Sequence, residues 1–542
     1  MESKAVWTTV VLVFVLLAVV SPIFVMPVKA SPKMIYVDAT NVNDPGEDGS
    51  LLHPFPLIQK GVDAASPGDT VYVFAGVYYE SVQINKSFIS LVGEKGGTII
   101  DGNGTDLVGI RLYHSSPEYT ENVSISGFTV RNFSGTLGKG ITLSRSIYAR
   151  FRDNSMVGNT YNFGDYTLQV HDIDTSNTVD GKPIYYWVNQ RDKQVPAEAG
   201  FVALVGSTNI TVRDMTFTSN VQGLVLKNTT HSLIENVRAL NNWDGMYLAR
   251  WSNSNKVIGS TFSSNLFMGI YVSTSSSNII VNNSISSNAY GLLLDSSVYE
   301  TVLGNVVSGN TVRDNIVMGN TVANSNLDGV YLDGCRDNVF FHNHFVNNMR
   351  QVESLNSTTN WNDGAEGNYW GDYSGKDLDM DGFGDAPYMI DENNKDGHPL
   401  MGLFSDFPFV WEEETYHVST ISNSTVSEYF FSKPNKTISF SVDGPVGGIG
   451  FCRVSMPVSL LGGPYTLVLN GSNSTSFLEK SNGTRCFLYF TYDYSSLKVK
   501  IEGTSVVPEF PSFPSLSFLA VLTVGVAIVA LARKRLAPAL FG

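Results

Sequence analysis

Asp377-Leu-Asp379-Met-Asp381-Gly382-Phe383-Gly384-Asp385 is the stretch whose residue types and spacing point most directly to chemistry. Carboxylates at positions 1, 3, 5 and 9 around a glycine at 6 form the front of a calcium loop, and the carbonyl of Phe383 at 7 would be a further ligand. Ca²⁺ takes about six to eight hard oxygens, and alternate residues of a tight loop supply them. Tyr388 stands where a bidentate Glu usually closes such a loop. The alternative is a solvated acidic turn. Asp391, Asn393 and Asp396 follow closely and would add ligands or bind a second ion.

Other candidates are more dispersed. His342 and His344, two apart on a predicted strand, would share a face and suit copper or zinc; aligned by repeat, they fall among ordinary coil-surface residues. Met246, Met268 and Met318 read as packing rather than soft copper ligands. Tyr247, Tyr271 and Tyr331, with Val225 and Leu293, would form an exposed stripe along one sheet, spaced by one coil of about 4.8 Å. Such rings suit the apolar faces of a polysaccharide, although cross-strand stacking alone would also account for them. Cleavage of a polysaccharide needs two carboxylates, or a base beside Ca²⁺. Asp244, Asp295, Asp328 and Asp333 are candidates, with Asp172 and Asp174, but no spacing among them demands catalysis. Of three cysteines, Cys452 and Cys486 lie in one late segment and are a candidate disulfide, while Cys335 reads as a lone thiol.

The elements that must position these residues repeat. Gly223-Leu-Val-Leu, Gly245-Met-Tyr-Leu, Gly269-Ile-Tyr-Val, Gly291-Leu-Leu-Leu and Gly329-Val-Tyr-Leu open successive units at steps of 22, 24, 22 and 38 residues. The long last step predicts an extra turn or coil around Asn305 to Asn324. A fixed period in this range marks a solenoid, in which each unit buries its apolar face against its neighbours. Within a unit the apolar residues alternate as a strand requires. Leu224, Leu226, Met246, Leu248, Ile270, Val272, Val330 and Leu332 are predicted to point inward; Val225, Tyr247, Tyr271, Leu293 and Tyr331, outward. Asn precedes a second strand at Asn255, Asn278 and Asn338, and recurs before the glycine at Asn220, Asn242, Asn265, Asn288 and Asn326. Asn tolerates left-handed backbone, and its amide can pair with a copy one coil away. The fold class is all-β, a right-handed parallel β-helix of pectin-lyase-like type.

Around the solenoid the sequence predicts further modules. Residues 1–30 read as a secretory signal: Lys4, the apolar run Val6 to Val25, and Val28-Lys29-Ala30 at the cleavage point. The β-helix spans 33–350, with a capping helix near 57–65 and an insertion at 161–199 rich in charge and aromatics. An acidic segment follows at 351–403, then alternating strands at 416–503 that read as a small immunoglobulin-like β-sandwich. A Pro-rich spacer (504–515) leads to an apolar span at 516–532, and Arg533-Lys534-Arg535 open a cytoplasmic tail at 533–542. Everything between the two ends is therefore expected outside the cell, anchored by one transmembrane helix. Sequons at Asn85, Asn228, Asn356 and Asn435 agree with an exported glycoprotein. The net charge of −15 argues against nucleic acid as a partner.

Ile35-Tyr-Val-Asp, Gly68-Asp-Thr-Val-Tyr-Val, the Asn-rich coils and Asn368-Tyr-Trp-Gly-Asp-Tyr with its acidic sequel resemble the NosD-type β-helix proteins, within the carbohydrate-binding and sugar-hydrolase (CASH) group. The resemblance covers roughly residues 33 to 403. It implies a pectin-lyase-like fold and, from the family's description as copper-binding accessories of nitrous oxide reductase maturation, copper; no Cys/His/Met cluster here carries that role over. Pro508-Glu-Phe-Pro and the short span resemble archaeal cell-surface proteins. The acidic loop is similar to calcium loops of dockerin or thrombospondin-repeat type. The expected function is glycan binding at the cell surface with structural Ca²⁺. A polysaccharide lyase, hydrolase or epimerase and a copper accessory protein are the alternatives.

Overall fold

The computed structural model describes residues 31–295, 315–411, 413–445, 447–493 and 496–506. The predicted signal, the tail end of the spacer, the apolar span, the cytoplasmic tail and most of the extra turn expected before Asn324 lie outside these residues. Among the described residues no helix is long and apolar enough to cross a membrane. The chain divides into two compact units at Tyr186/Trp187, and each is described by itself.

The first unit is built from short parallel strands stacked coil on coil. Met34–Val37, Thr70–Val73, Ser90–Gly93, Ser124–Ser126, Arg150–Arg152 and Asp172–Ile173 form one sheet. Gly76–Tyr78, Thr98–Asp101, Phe128–Arg131, Ser155–Val157 and Thr178–Val179 form a second. Val82–Ile84, Val108–Tyr113, Lys139–Ser144 and Tyr161–Asp165 form a third. Inward residues such as Val71, Leu91, Ile125 and Phe151 are fully buried. A helix, Ile58–Ala64, lies against the first coil: a Cβ on Gly61 would approach Val37 and Val71 to 2.7 and 2.8 Å, so only glycine lets the helix sit this close. Both carboxylate oxygens of Glu80 accept its first free amides, Ile58 N–H (2.8 Å) and Gln59 N–H (2.9 Å). The expected insertion at 161–199 is corrected here. Tyr161–Asp165, Asp172–Ile173 and Thr178–Val179 are regular coil strands, and the coil pattern gives way only at the antiparallel turn into Lys182–Val188. Aromatic and charged residues there sit on ordinary strands, which hid the period.

The second unit continues the same architecture and is a right-handed parallel β-helix, the hand that parallel crossovers take. Val202, Leu224, Met246, Ile270, Leu292, Val330 and Val352 are register partners in one sheet. Leu248, Val272 and Leu294 stack likewise and are fully buried. The coils then meet a β-sandwich of two five-stranded antiparallel sheets. Its first strand, Leu403–Trp411, precedes the module expected from residue 416. Arg485–Asp493 alternates buried and open residues along its length, as a strand with one core face does. Val418, Phe440, Val454, Leu488 and Ile501 form the inner layer.

Asparagine columns stitch the coils. Asn220 N–H donates to Asn242 Oδ1, Asn242 N–H to Asn265 Oδ1, and Asn265 N–H to Asn288 Oδ1, each at 3.0 Å. A second column links Asn255, Asn278, Asn315 and Asn338. A third runs from Asn283 through Asn320 and Asn343 to Asn368. Ser325 takes the next place in the first column and the expected Asn326 is exposed; the Ser325 N–H donates to Asn348 Oδ1, but its buried Oγ accepts nothing among the described residues, so the ladder is interrupted after Asn288. Along the uninterrupted runs these are buried amides at bends, where no sheet partner is in reach, and a side chain of the next coil satisfies them. Asn265→Ala removes that acceptor, leaves Asn242 N–H unpaired and takes one donor from Ala239 C=O. Urea unfolding of this variant should show a loss of about 2–4 kcal/mol; a loss under about 0.5 kcal/mol would discard the ladder as a stabilising element.

Candidate functional site

The third asparagine column organises the end of the solenoid. Asn368 N–H donates to Asp396 Oδ2 (2.7 Å), which also accepts Trp370 Nε1–H at 2.9 Å. Asp396 is fully buried and terminates the ladder as its last acceptor. Asp391 accepts the N–H groups of Asn393 (2.7 Å) and Asn394 (2.8 Å). Asp391 and Asp396, expected as added metal ligands with Asn393, are engaged in closing the backbone instead. Trp370 stacks on Phe345 at 4.5 Å and on Tyr388 at 4.2 Å, sealing the last coil.

The acidic loop hangs from this seal through Gly384 N–H on Pro399 C=O (2.8 Å) and Asp385 N–H on Lys376 C=O (2.8 Å). Ligand atoms of Asp377, Asp379 and Asp381 lie within 4.8 Å of one another. Asp377 Oδ1 and Oδ2 accept the N–H groups of Asp381 (3.0 Å) and Gly382 (2.9 Å), and Asp381 Oδ1 accepts Phe383 N–H at 3.1 Å. Asp385 Oδ2 accepts Leu378 N–H at 2.8 Å. Gly382 holds φ +90°, and a Cβ there would strike Arg453 at 2.7 Å, so the tight bend needs glycine. Partial burial, with the charges of Asp381 and Asp379, pushes the Asp377 carboxyl above its ordinary range. A hard cation would relieve that repulsion, and the donor set fits Ca²⁺.

The histidines serve a different purpose. His344 Nε2 accepts the Phe404 N–H at 2.9 Å, and burial pushes the ring down to about 4. His342 stacks on Phe404 at 3.6 Å, and its Nε2 meets Glu366 Oε2 at 2.8 Å. Glu366 Oε1 accepts from Arg453 Nη1 at 3.0 Å. Burial alone would raise the Glu366 carboxyl, but His342 and Arg453 pull it down to about 2. This cluster joins the last coils to the sandwich and leaves neither ring as a free soft-metal ligand. Nothing in the spacing of His342 and His344 signalled their partners, which lie 24 and 60 residues on.

The tyrosine stripe is not open as expected. Tyr271 is 4% exposed, its Oη–H donating to Asp295 Oδ2 (3.0 Å), while Val225 is fully buried and Leu293 nearly so. Tyr247 and Tyr271 meet edge to face at 4.5 Å, and Tyr290 and Tyr331 at 5.7 Å. Outward position on a strand did not make these residues exposed; Tyr247 and Tyr331 remain half-buried. The candidate acids are dispersed. Burial pushes Asp244 up to about 7, Asp328 pairs with Arg350 Nε at 2.6 Å, and Asp172 and Asp174 pair with Arg152. Only Asp295 and Asp333 are register partners.

The candidate disulfide is also corrected. Cys452 faces Phe490 and Cys486 faces Met456 on the paired strands Ile449–Pro457 and Arg485–Asp493. Four residues of register separate the two sulfurs' strands positions, about 13 Å along the sheet, beyond disulfide reach. All three cysteines, Cys335 included, are buried free thiols.

The family described as periplasmic copper-binding protein (NosD) matches residues 121–313 and 309–375. The chain is 30% identical to the probable ABC transporter binding protein NosD of Stutzerimonas stutzeri and 33% identical to that of Pseudomonas aeruginosa. Each similarity covers 19% of this chain and 29% of the relative, so the chain spans under a third of the length of the curated relatives it matches. Among solved structures it is similar to the A-module of the Azotobacter vinelandii mannuronan C-5 epimerase AlgE6 (20% identity, 56% of this chain and 93% of that one, TM-score 0.28). It is also similar to the GH136 lacto-N-biosidase of Eubacterium ramulus (12% identity, 60% and 68%, TM-score 0.27).

The junction cluster makes acid sensitivity predictable. The unfolded His344 ring takes a proton near pH 6.5, whereas the native ring refuses it until about 4. Between these values the unfolded chain binds more protons, so stability rises with pH and is lost as pH falls from 6.5 to 4, by roughly 3 kcal/mol. Glu366, depressed to about 2, adds a loss only below about pH 4.5. Urea midpoints between pH 7.5 and 4.5 should show the upper loss in the wild type, and His344→Gln should flatten it. An unchanged slope in that variant would refute the assignment.

Proposed function

We propose that this chain is an extracellular β-helix protein, anchored by its C-terminal span, that binds a glycan while Ca²⁺ in the loop of Asp377, Asp379, Asp381, Phe383 and Asp385 braces the end of the solenoid. One observation supports the glycan reading above the others: neighbouring coils hold strict register, so outward side chains recur in columns one coil apart. A polymer with a short repeat meets equivalent groups at each step along such a surface. Tyr247 and Tyr331 remain candidate contacts; Tyr271 packs against Tyr247 and Tyr290 against Tyr331. The copper role belongs to the family's description. Here Nε2 of both His342 and His344 is engaged, and the acidic cluster offers hard oxygens that suit Ca²⁺ rather than copper. A polysaccharide-cleaving enzyme is the second reading, favoured by the register pair of Asp295 and Asp333 beside Tyr271.

A glycan array probed with the exported chain should return a linear polysaccharide, and release of sugars from that polymer would move the reading to the enzyme. An array without hits would end the binding proposal. Millimolar Ca²⁺ should raise the melting temperature by several degrees over chelator, since saturation at about 100 times Kd contributes about 2.7 kcal/mol. Asp381→Asn should reduce that shift, and a melting curve indifferent to chelator would remove the calcium.

A further inference from the structure

We infer that a groove on the outer surface of the first unit seats a linear pyranose polysaccharide lying along the solenoid axis. This rests on the glycan-binding reading and gives it a place. The groove runs beside a column of chain corners, each two residues before a strand of the first sheet: Gly68, Phe88, Asn122 and Tyr148. All four are left-handed, with φ of 105°, 61°, 51° and 57°. Successive coils meet there through Phe88 N–H on Glu121 C=O (2.8 Å), Asn122 N–H on Ile147 C=O (3.1 Å) and Tyr148 N–H on Val170 C=O (2.8 Å).

Gly and Asn suit that backbone, but a bulky aromatic residue does not. Burial repays the misfit only in part, because Phe88 is 50% exposed and Tyr148 54%. Neither ring stacks on another aromatic among the described residues. Two sterically disfavoured, open rings therefore flank Asn122 in one column, about 10 Å apart across two coils. That is near the advance of two pyranose rings in an extended glycan.

The floor beside the rings is polar. Ser90, Ser124, Arg150 and Asp172 are register partners across four coils, and the groove they share with Asn122 and Tyr148 encloses about 410 Å³. Arg150 gives Nε to Asp172 Oδ2 at 3.0 Å, which leaves both Nη groups without a protein partner among the described residues. The side chains of Asn122, Ser90 and Ser124 likewise make no hydrogen bond among the described residues. Open faces for C–H contact, with unengaged amide, hydroxyl and guanidinium groups between them, are what a pyranose chain needs from a protein. The Arg150 Nη groups can donate to a ring hydroxyl or, more strongly, to a uronate carboxylate.

Phe88→Asn and Tyr148→Asn remove the rings while keeping a residue that Asn122 shows to fit the corner. In calorimetric titrations of the exported chain with polygalacturonate and with mannan, at least one polymer should bind. Each substitution should weaken that binding roughly tenfold, with melting temperature unchanged or higher. Arg150→Gln should weaken polygalacturonate more than mannan if the fork holds the carboxylate, and both alike if it holds hydroxyls; either supports the groove. Binding that survives both Asn substitutions, while falling in Tyr247→Ala or Tyr331→Ala, would overturn the groove and keep the glycan reading. A fall in melting temperature would show the rings to be structural and overturn it too. If neither polymer binds, the groove is wrong as stated, whatever the array returns.

Discussion

Everything in the solenoid depends on how the backbone amides at its bends are satisfied. Between sheets the chain must turn without a strand beside it, and an amide buried there without a partner costs about as much as several good apolar contacts gain. The asparagine ladders answer this with one residue type: Asn265 Oδ1 accepts the Asn242 N–H of the coil before, and its Nδ2 donates back to Ala239 C=O and onward to Asn288 Oδ1. The first unit has a shorter ladder of the same kind, from Phe128 N–H through Asn154 to Asn177. Because each rung is shared between coils, the ladder also fixes the register that aligns the outer columns.

A ladder needs an end, and that end explains the acidic segment. The last rung, Asn368, has no coil above it, and Asp396 replaces the next asparagine with a carboxylate that accepts from backbone, amide and indole together. Burial raises the Asp396 carboxyl while those donors work against the rise. The Trp370 and Trp361 rings then cover the apolar interior that the next coil would have covered. The sandwich is held on by His342, His344, Glu366 and Arg453, where the guanidinium lies between Phe383 and Phe487 at 4.6 Å from each. Stability at this junction follows pH because the buried His344 ring resists protonation, and at lower pH because Glu366 is held ionised by His342 and Arg453.

The fold was legible in the sequence because the period expresses a local requirement repeated many times: apolar alternation in the strands, Asn or Gly at the bends. What was not legible depends on contacts between distant segments. The third column, Asn283 to Asn343, lies within Ser- and Asn-rich runs where no single residue stands out. Cys452 and Cys486 seemed a pair because they share a module, but strand register, which the spacing does not reveal, sets them four residues apart. Tyr271 alternates like an outward residue and does point outward; its burial comes from neighbours on the same face. Of the candidate site, the acidic loop was legible because all its groups lie within nine residues. The partners of the two histidines were not.

The corner residues separate stability from use. A bend in left-handed backbone is a steric test that Gly68 and Asn122 pass and that Phe88 and Tyr148 fail. Leu168, also left-handed, differs from them in being buried, so packing contributes in return for its strain. Phe88 and Tyr148, half exposed, receive much less of that return. A residue that lowers stability where a better one stands in the same column, and that turns its ring to solvent, is held there by something other than folding. Strain of this kind gathers at binding surfaces because the surrounding structure can enforce it. In this chain the enforcement comes from the coil-to-coil hydrogen bonds on either side, which hold the corners whatever side chain they carry.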